Sequence, residues 1–188
     1  MKQRLLLFIT ALMLCIGARA TTIQVIDGLK YIIYTDHNCA ALIGNKYTQK
    51  EIVIPASITW EGKRYPVTEL GANSFSRCSN LTSITIPSSV TSLGEYCFFS
   101  CSSLTSITIP SSITRLGDGC FSGCTGLTSI NISSSVTSLG EKCFYNCSNL
   151  TSITIPSSVT RLGNDCFENC IYNHRTTKTN QKYPSVNL

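Results

Sequence analysis

Cysteine is the residue of this chain best placed to do chemistry. Nine of the 11 cysteines fall on a lattice with a pitch of 23 residues. Cys78, Cys101, Cys124, Cys147 and Cys170 form one column, and Cys97, Cys120, Cys143 and Cys166 form another. A Cys97–Cys101 disulfide within one turn needs Cα atoms about 6 Å apart with converging side chains, which is strained. Zinc needs a second close pair or histidines in tetrahedral reach, and the chain has only His37 and His174. A Cys–His nucleophile would have to span the same gap. Regular columns point instead to stacked, buried thiols filling equivalent places, since free cysteine is among the most buried residue types. Disulfides within the lattice stay open as the alternative.

Carboxylates repeat too. Glu95, Asp118, Glu141 and Asp165 recur at or near one turn, but calcium takes six to eight oxygens and one carboxylate per unit falls short. Catalysis needs unlike polar groups converging in a pocket, whereas a repeating surface offers rows of the same group. No phosphate loop, nucleophile elbow or zinc-protease pattern is present. The reading is therefore of a protein that is not an enzyme and carries no cofactor or metal. What remains is hydroxyls in rows: Ser83 and Thr85, Ser106 and Thr108, Ser129 and Asn131, Ser152 and Thr154. Short hydroxyls on a flat sheet can hydrogen-bond glycans or protein backbone, although each alone also fits as a soluble strand residue. Phe99 and Tyr145, at variable positions and expected to be exposed, are the second choice of contact surface.

These rows are positioned by one repeated stretch. Leu81–Ser103 reads LTSITIPSSVTSLGEYCFFSCSS and returns with few changes from Leu104, Leu127 and Leu150. A fixed period in the twenties marks a solenoid, in which each unit buries its apolar face by stacking on the next. The spacing L-x-x-I-x-I sends Leu81, Ile84 and Ile86 inward and Thr82, Ser83 and Thr85 outward. Pro87, Pro110 and Pro156 close the strand, since proline cannot donate to a ladder, and Ser133 stands there in the third copy. A second extended piece, Val90–Leu93, turns Val90 and Leu93 inward. Gly71, Gly94, Gly117, Gly140 and Gly163 mark a position of positive φ or close approach. The segment from Cys97 to Cys101 has apolar residues at i, i+1 and i+4, which suits about one helical turn.

Glu51–Asn80 is a fifth, disguised copy, in which Ile52-Val53-Ile54-Pro55 corresponds to Ile84-Thr85-Ile86-Pro87. Its extra residues, Thr59–Tyr65, read as a small hairpin with Trp60 and Tyr65 flanking each other. A hairpin at Asp27-Gly28 and a short strand through Ala40–Ile43 make residues 21–50 a β cap over the first coil. The expected organisation is a signal peptide at 1–20, this cap, five repeats at 51–80, 81–103, 104–126, 127–149 and 150–172, and a flexible tail at 173–188. The fold class is a repeat solenoid, mainly β with short helical or 3-10 turns.

The first 20 residues read as an export signal: Lys2 and Arg4, a 13-residue apolar run from Leu5 to Gly17, and small residues before a cut after Ala20. The run is shorter than the roughly 20 residues of a transmembrane helix. A lipoprotein anchor at Cys15 is disfavoured because Leu14 is not small. Without residues 1–20 the net charge is +2, and three of the remaining basic residues, Arg175, Lys178 and Lys182, lie in the tail. The body lacks the basic stripe that nucleic acid requires.

The repeat L-T-S-I-T-I-P-S-S-V-T-S-L-G-x-x-C-F-x-x-C over residues 51–170 resembles the BspA-type leucine-rich repeats of surface and secreted proteins of Bacteroides-group bacteria. That family usually has alanine before the phenylalanine, where Cys97, Cys120, Cys143 and Cys166 stand here and Ser74 stands in the first copy. The resemblance implies a small buried site at these positions. It also implies an extracellular or cell-surface protein that acts by adhesion, binding a host or bacterial surface protein or glycan. A structural spacer, or a truncated fragment of a larger surface protein, with no binding of its own is the rival expectation.

Overall fold

Turn chemistry starts the chain's first sheet. The computed structural model describes residues 22–44 and 47–171, so Cys15, the cut after Ala20 and the tail at 173–188 lie outside the described residues. Strands β1 (Thr22–Ile26) and β2 (Leu29–Tyr34) are antiparallel. They meet at Asp27-Gly28, whose φ angles of 50° and 77° give the two left-handed residues of a type I′ turn. Strand β3 (Cys39–Ile43) adds antiparallel to β2.

The expected insert is the second hairpin. Strands β5 (Ser57–Trp60) and β6 (Lys63–Leu70) turn at Glu61-Gly62, again with two positive φ angles, 50° and 75°. Trp60 and Tyr65 lie with ring centroids 6.2 Å apart; Tyr65 is buried, and half-buried Trp60 packs on the core. β6 then pairs parallel with β3, giving the order β1-β2-β3-β6-β5. This half-barrel covers the first coil and runs directly into the repeats.

Each later coil contributes two short strands. One series is β4 (Glu51–Val53), β7 (Ser83–Thr85), β9 (Ser106–Thr108), β11 (Ser129–Asn131) and β13 (Ser152–Thr154). The other continues β6 through β8 (Ser92–Leu93), β10 (Arg115–Leu116), β12 (Ser138–Leu139) and β14 (Arg161–Leu162). All pairings between coils are parallel and in register at 23 residues in the regular repeats, as in Ser106↔Ser129↔Ser152. The result is a β-solenoid of about five turns. The ladders are not continuous, however: β4 pairs β7 and β6 pairs β8, then pairing resumes as β9-β11-β13 and β10-β12-β14.

One core runs the length of the molecule. Leu81, Ile84, Ile86, Val90, Leu93, Cys97, Phe98 and Cys101 are all buried, as are nearly all their equivalents in the other coils. Thr82 differs from expectation. It is half-buried, with its hydroxyl donating to the Lys50 carbonyl at 2.9 Å.

The Cys–Phe segment is not a helix. It is a chain of reverse turns, with Cys97 N–H on Gly94 O, Phe99 N–H on Tyr96 O and Cys101 N–H on Phe98 O. Left-handed residues interrupt it before a helix can propagate. Tyr96 and Ser100 have φ of 54° each, and the equivalents Asn73 and Arg77, Gly119 and Gly123, Lys142 and Asn146, Asp165 and Asn169 are all positive. The freed N–H groups point along the axis: Tyr96, Phe98 and Ser100 donate to Asp118, Cys120 and Ser122 of the next coil at 2.7–2.9 Å.

Close approach, not positive φ, explains the recurrent glycine. A Cβ on Gly140 would lie 2.6 Å from the backbone of Gly117 and Asp118 in the preceding coil. Gly117 is the exception, with nothing nearer than 3.5 Å.

Candidate functional site

The outward hydroxyls come together on one sheet. L-x-x-I-x-I alternation buries the isoleucine between each pair, so Ser83, Thr85, Ser106, Thr108, Ser129, Asn131, Ser152 and Thr154 are all exposed. They form two rows. Ser106, Ser129 and Ser152 are in register in one, and Thr108, Asn131 and Thr154 in the other. Neighbours along a row are about 4.8 Å apart and the rows about 7 Å apart, so the hydroxyls tile a flat surface.

Glu51 and Val53 extend the rows, paired with Ser83 and Thr85, and Val53 is 73% exposed. Sequence reasoning left them out of the surface, although the match of Ile52–Pro55 with Ile84–Pro87 places them there.

Between β7 and β9, where the ladder lapses, the surface opens into a shallow cleft of about 330 Å³. Ser83, Thr85, Ser106 and Thr108 form its walls, with Ile84 and Ile107 also lining it.

Phe99 and Tyr145 do not form a second exposed surface. Both are half-buried and stand two coils apart, with buried Ser122 at the equivalent place between them. Tyr96 meets Phe99 edge-on at 5.9 Å, and the Arg77 guanidinium covers the ring at the same distance. Tyr96, 40% exposed, is the more accessible aromatic. Its left-handed backbone holds it out, which its residue type does not announce.

The cysteine columns face inward. All ten described cysteines are free, nine of them buried. The thiols of Cys101, Cys124, Cys147 and Cys170 donate to the carbonyls of Phe75, Phe98, Phe121 and Phe144 at 3.0–3.1 Å. Beside them Phe75, Phe98, Phe121, Phe144 and Phe167 stack at 5.3–5.4 Å with planes within 7°, and Tyr47 closes the stack on Phe75. Burial pushes the Cys97, Cys120 and Cys143 thiols well above the ordinary thiol value. A thiol held protonated is neither a nucleophile nor a metal ligand.

Among the described residues, no group of three or more His, Cys, Asp and Glu could hold a metal ion. The acidic row is engaged locally. Asp118 accepts from the Glu141 N–H at 2.9 Å, and Lys142 bridges Glu141 at 3.1 Å and Asp165 at 3.7 Å.

A chain of 23-residue coils of this kind has known counterparts. The BspA type Leucine rich repeat region matches residues 46–177, in six copies. The chain belongs to the BspA-type leucine-rich repeat family. Leucine-rich repeats of this family are typically non-catalytic.

The BspA-type chain is 32% identical to a leucine-rich repeat protein from Bacteroides ovatus ATCC 8483, with a TM-score of 0.69 over 79% of this chain and 40% of that one. A leucine-rich repeat protein of T. pallidum, TpLRR, is 25% identical, with a TM-score of 0.66 over 74% of this chain and 64% of that one. The pneumococcal vaccine antigen PcpA shares the fold, at 22% identity and a TM-score of 0.58 over 79% of this chain and 48% of that one. The BspA-type chain thus spans less than two thirds of the length of each of these relatives. Among curated proteins none matches it. No helix among the described residues is long and apolar enough to cross a membrane.

Proposed function

We propose that this is an exported, non-catalytic recognition module that adheres to a host or bacterial surface protein or glycan through its strand face. The observation that carries the reading is the cleft between β7 and β9, where Ser83, Thr85, Ser106 and Thr108 surround a gap in an otherwise flat surface. Hydroxyls that both donate and accept suit a polar, hydrogen-bonding partner, and the lapse in the ladder leaves backbone edges facing the same space. Membership of a repeat family with surface and secreted members supports export, as does the leader-like sequence at residues 1–20.

The test is binding of the purified chain to immobilised mucin, extracellular-matrix proteins and bacterial surface polysaccharides, beside a variant with Ser83, Ser106, Ser129 and Ser152 all changed to lysine. Saturable binding that the folded variant loses supports the reading. Equal binding by both moves the site off this face. If neither binds any of these surfaces, the spacer role takes its place.

A further inference from the structure

The second series of strands carries a different surface. At its first strand position the coils present Glu69 and Ser92, in register with each other, and then Arg115, Ser138 and Arg161, in register in a separate ladder. Ser92, paired with Glu69, is exposed. Ser138, with an arginine on each side, is only 6% exposed, and its Oγ is buried without any hydrogen-bond partner. A buried hydroxyl left unpaired costs free energy, and such a group marks a place where a partner belongs.

Neither Arg115 nor Arg161 has an acidic partner within ion-pair distance among the described residues. Two register steps put their Cα atoms about 10 Å apart. Two guanidiniums on long side chains can converge from that spacing on one oxyanion, each with a planar fork of donors.

Arg115, Ser138 and Arg161 line one end of a shallow cleft of about 340 Å³, at the small end of the range for ligand sites. Leu139 and Gly140 also line it, and Asp118, Glu141 and Asn164 line it from the turns that follow the strands. Arg115 belongs to β10 and Asp118 to the turn that follows it, so the two occupy successive places along the coil. The acids are partly spent, Asp118 on the Glu141 N–H and Glu141 on Lys142. Their free oxygens still accept hydrogen bonds. The cleft is thus cationic at one end and acceptor-lined at the other. A second negative charge on a ligand would meet the acids, whereas hydroxyls would find acceptors there.

We propose that this cleft binds an acidic sugar unit of a polysaccharide, its carboxylate or sulfate held between Arg115 and Arg161 over the Ser138 hydroxyl and its ring hydroxyls directed to Asp118 and Glu141. The site lies off the strand face and stands or falls independently of it.

The experiment presents the full chain to immobilised hyaluronan, which is carboxylated, to chondroitin sulfate, which is carboxylated and sulfated, to neutral dextran and to poly-glutamate. The parent binds at least one of the two acidic polysaccharides and not dextran. Equal affinity for both assigns the carboxylate, and preference for chondroitin sulfate assigns the sulfate. R115Q/R161Q removes both charged forks while leaving a shorter polar side chain at each place, and weakens binding about tenfold or more. S138A, which removes only the unpaired hydroxyl, weakens binding several-fold while melting no lower than the parent. The proposal is overturned by failure of the parent to bind either acidic polysaccharide, by binding that survives in R115Q/R161Q, or by stronger binding to poly-glutamate than to both polysaccharides.

Discussion

At the junction between residues 103 and 104 the two sides of the coil part company. On the turn side three backbone hydrogen bonds cross it, from Tyr96, Phe98 and Ser100, and Phe98 stacks on Phe121 at 5.3 Å. On the strand side, neither β7 with β9 nor β8 with β10 is paired. Gly117 has 3.5 Å of clearance there, where Gly140, one coil on, would meet backbone at 2.6 Å. Coil adhesion therefore resides in the turn column, and the strands, two or three residues long in each regular coil, follow it where they can. The face free to splay is the face that carries the hydroxyls.

The largest test of this asymmetry removes a ring from the column. F121A empties a buried site touching both neighbouring rings and should cost about 3–5 kcal/mol in chemical denaturation. By contrast S83A and S106A, at exposed positions across the open junction, should each stay within about 0.5 kcal/mol. Comparable losses at both places would erase the distinction.

The glycines give a sharper comparison, because one substitution is made twice. G140A forces a methyl into the backbone of the preceding coil and should cost about 3 kcal/mol, while G117A at the open junction should be within about 0.5 kcal/mol of neutral. Equal thermal shifts would mean that the junction closes in solution.

Alkaline titration probes the column through its thiols. Burial raises the folded-state value of Cys120, so its contribution to stability is complete below the unfolded thiol value, about 8.5, and declines as pH rises above it. Above that pH the folded state holds a proton that the unfolded state has released, so the slope is negative. The decline is about 1.4 kcal/mol per pH unit per thiol. Urea melts of C120A and of the parent between pH 8 and 10.5 should converge as pH rises, and parallel curves would contradict a buried, protonated thiol.

The smallest effect is at Ser100, whose φ of 54° is shared by the equivalent Gly123 at 73°. S100G relieves the left-handed strain at a modest entropic cost and should raise stability by about 0.5–1 kcal/mol, read as a higher melting temperature.

The period and the inward pattern were legible because every coil repeats the same physical requirement, and L-x-x-I-x-I shows it without long-range information. The hydroxyl rows followed from that alternation. The left-handed positions were hidden, because Tyr96, Arg77, Ser100 and Lys142 occupy places where Asn or Gly stands in other coils. The stack imposes their conformation, and local propensity does not reveal it. Phe99 and Tyr145 were misjudged for a related reason, since turns that bring aromatic rings against neighbours depend on the same dihedrals. The lapse at residue 104 left no trace in sequence, as the repeats on either side are nearly identical. Ser138 becomes unusual only once the register sets it between Arg115 and Arg161.

Phe75 to Phe167 form a single file of rings with thiol-to-carbonyl bonds beside it, and this gives the molecule a mechanical character. Compliance along such a rod is not uniform. Most joints carry paired strands besides the turn column, while the joint at residue 104 lacks that pairing and is the natural place for the rod to flex. Flexure away from the braced side lengthens the opposite surface, so traction on a tethered molecule would widen the gap between Ser83 and Ser106 before it disturbed any other coil.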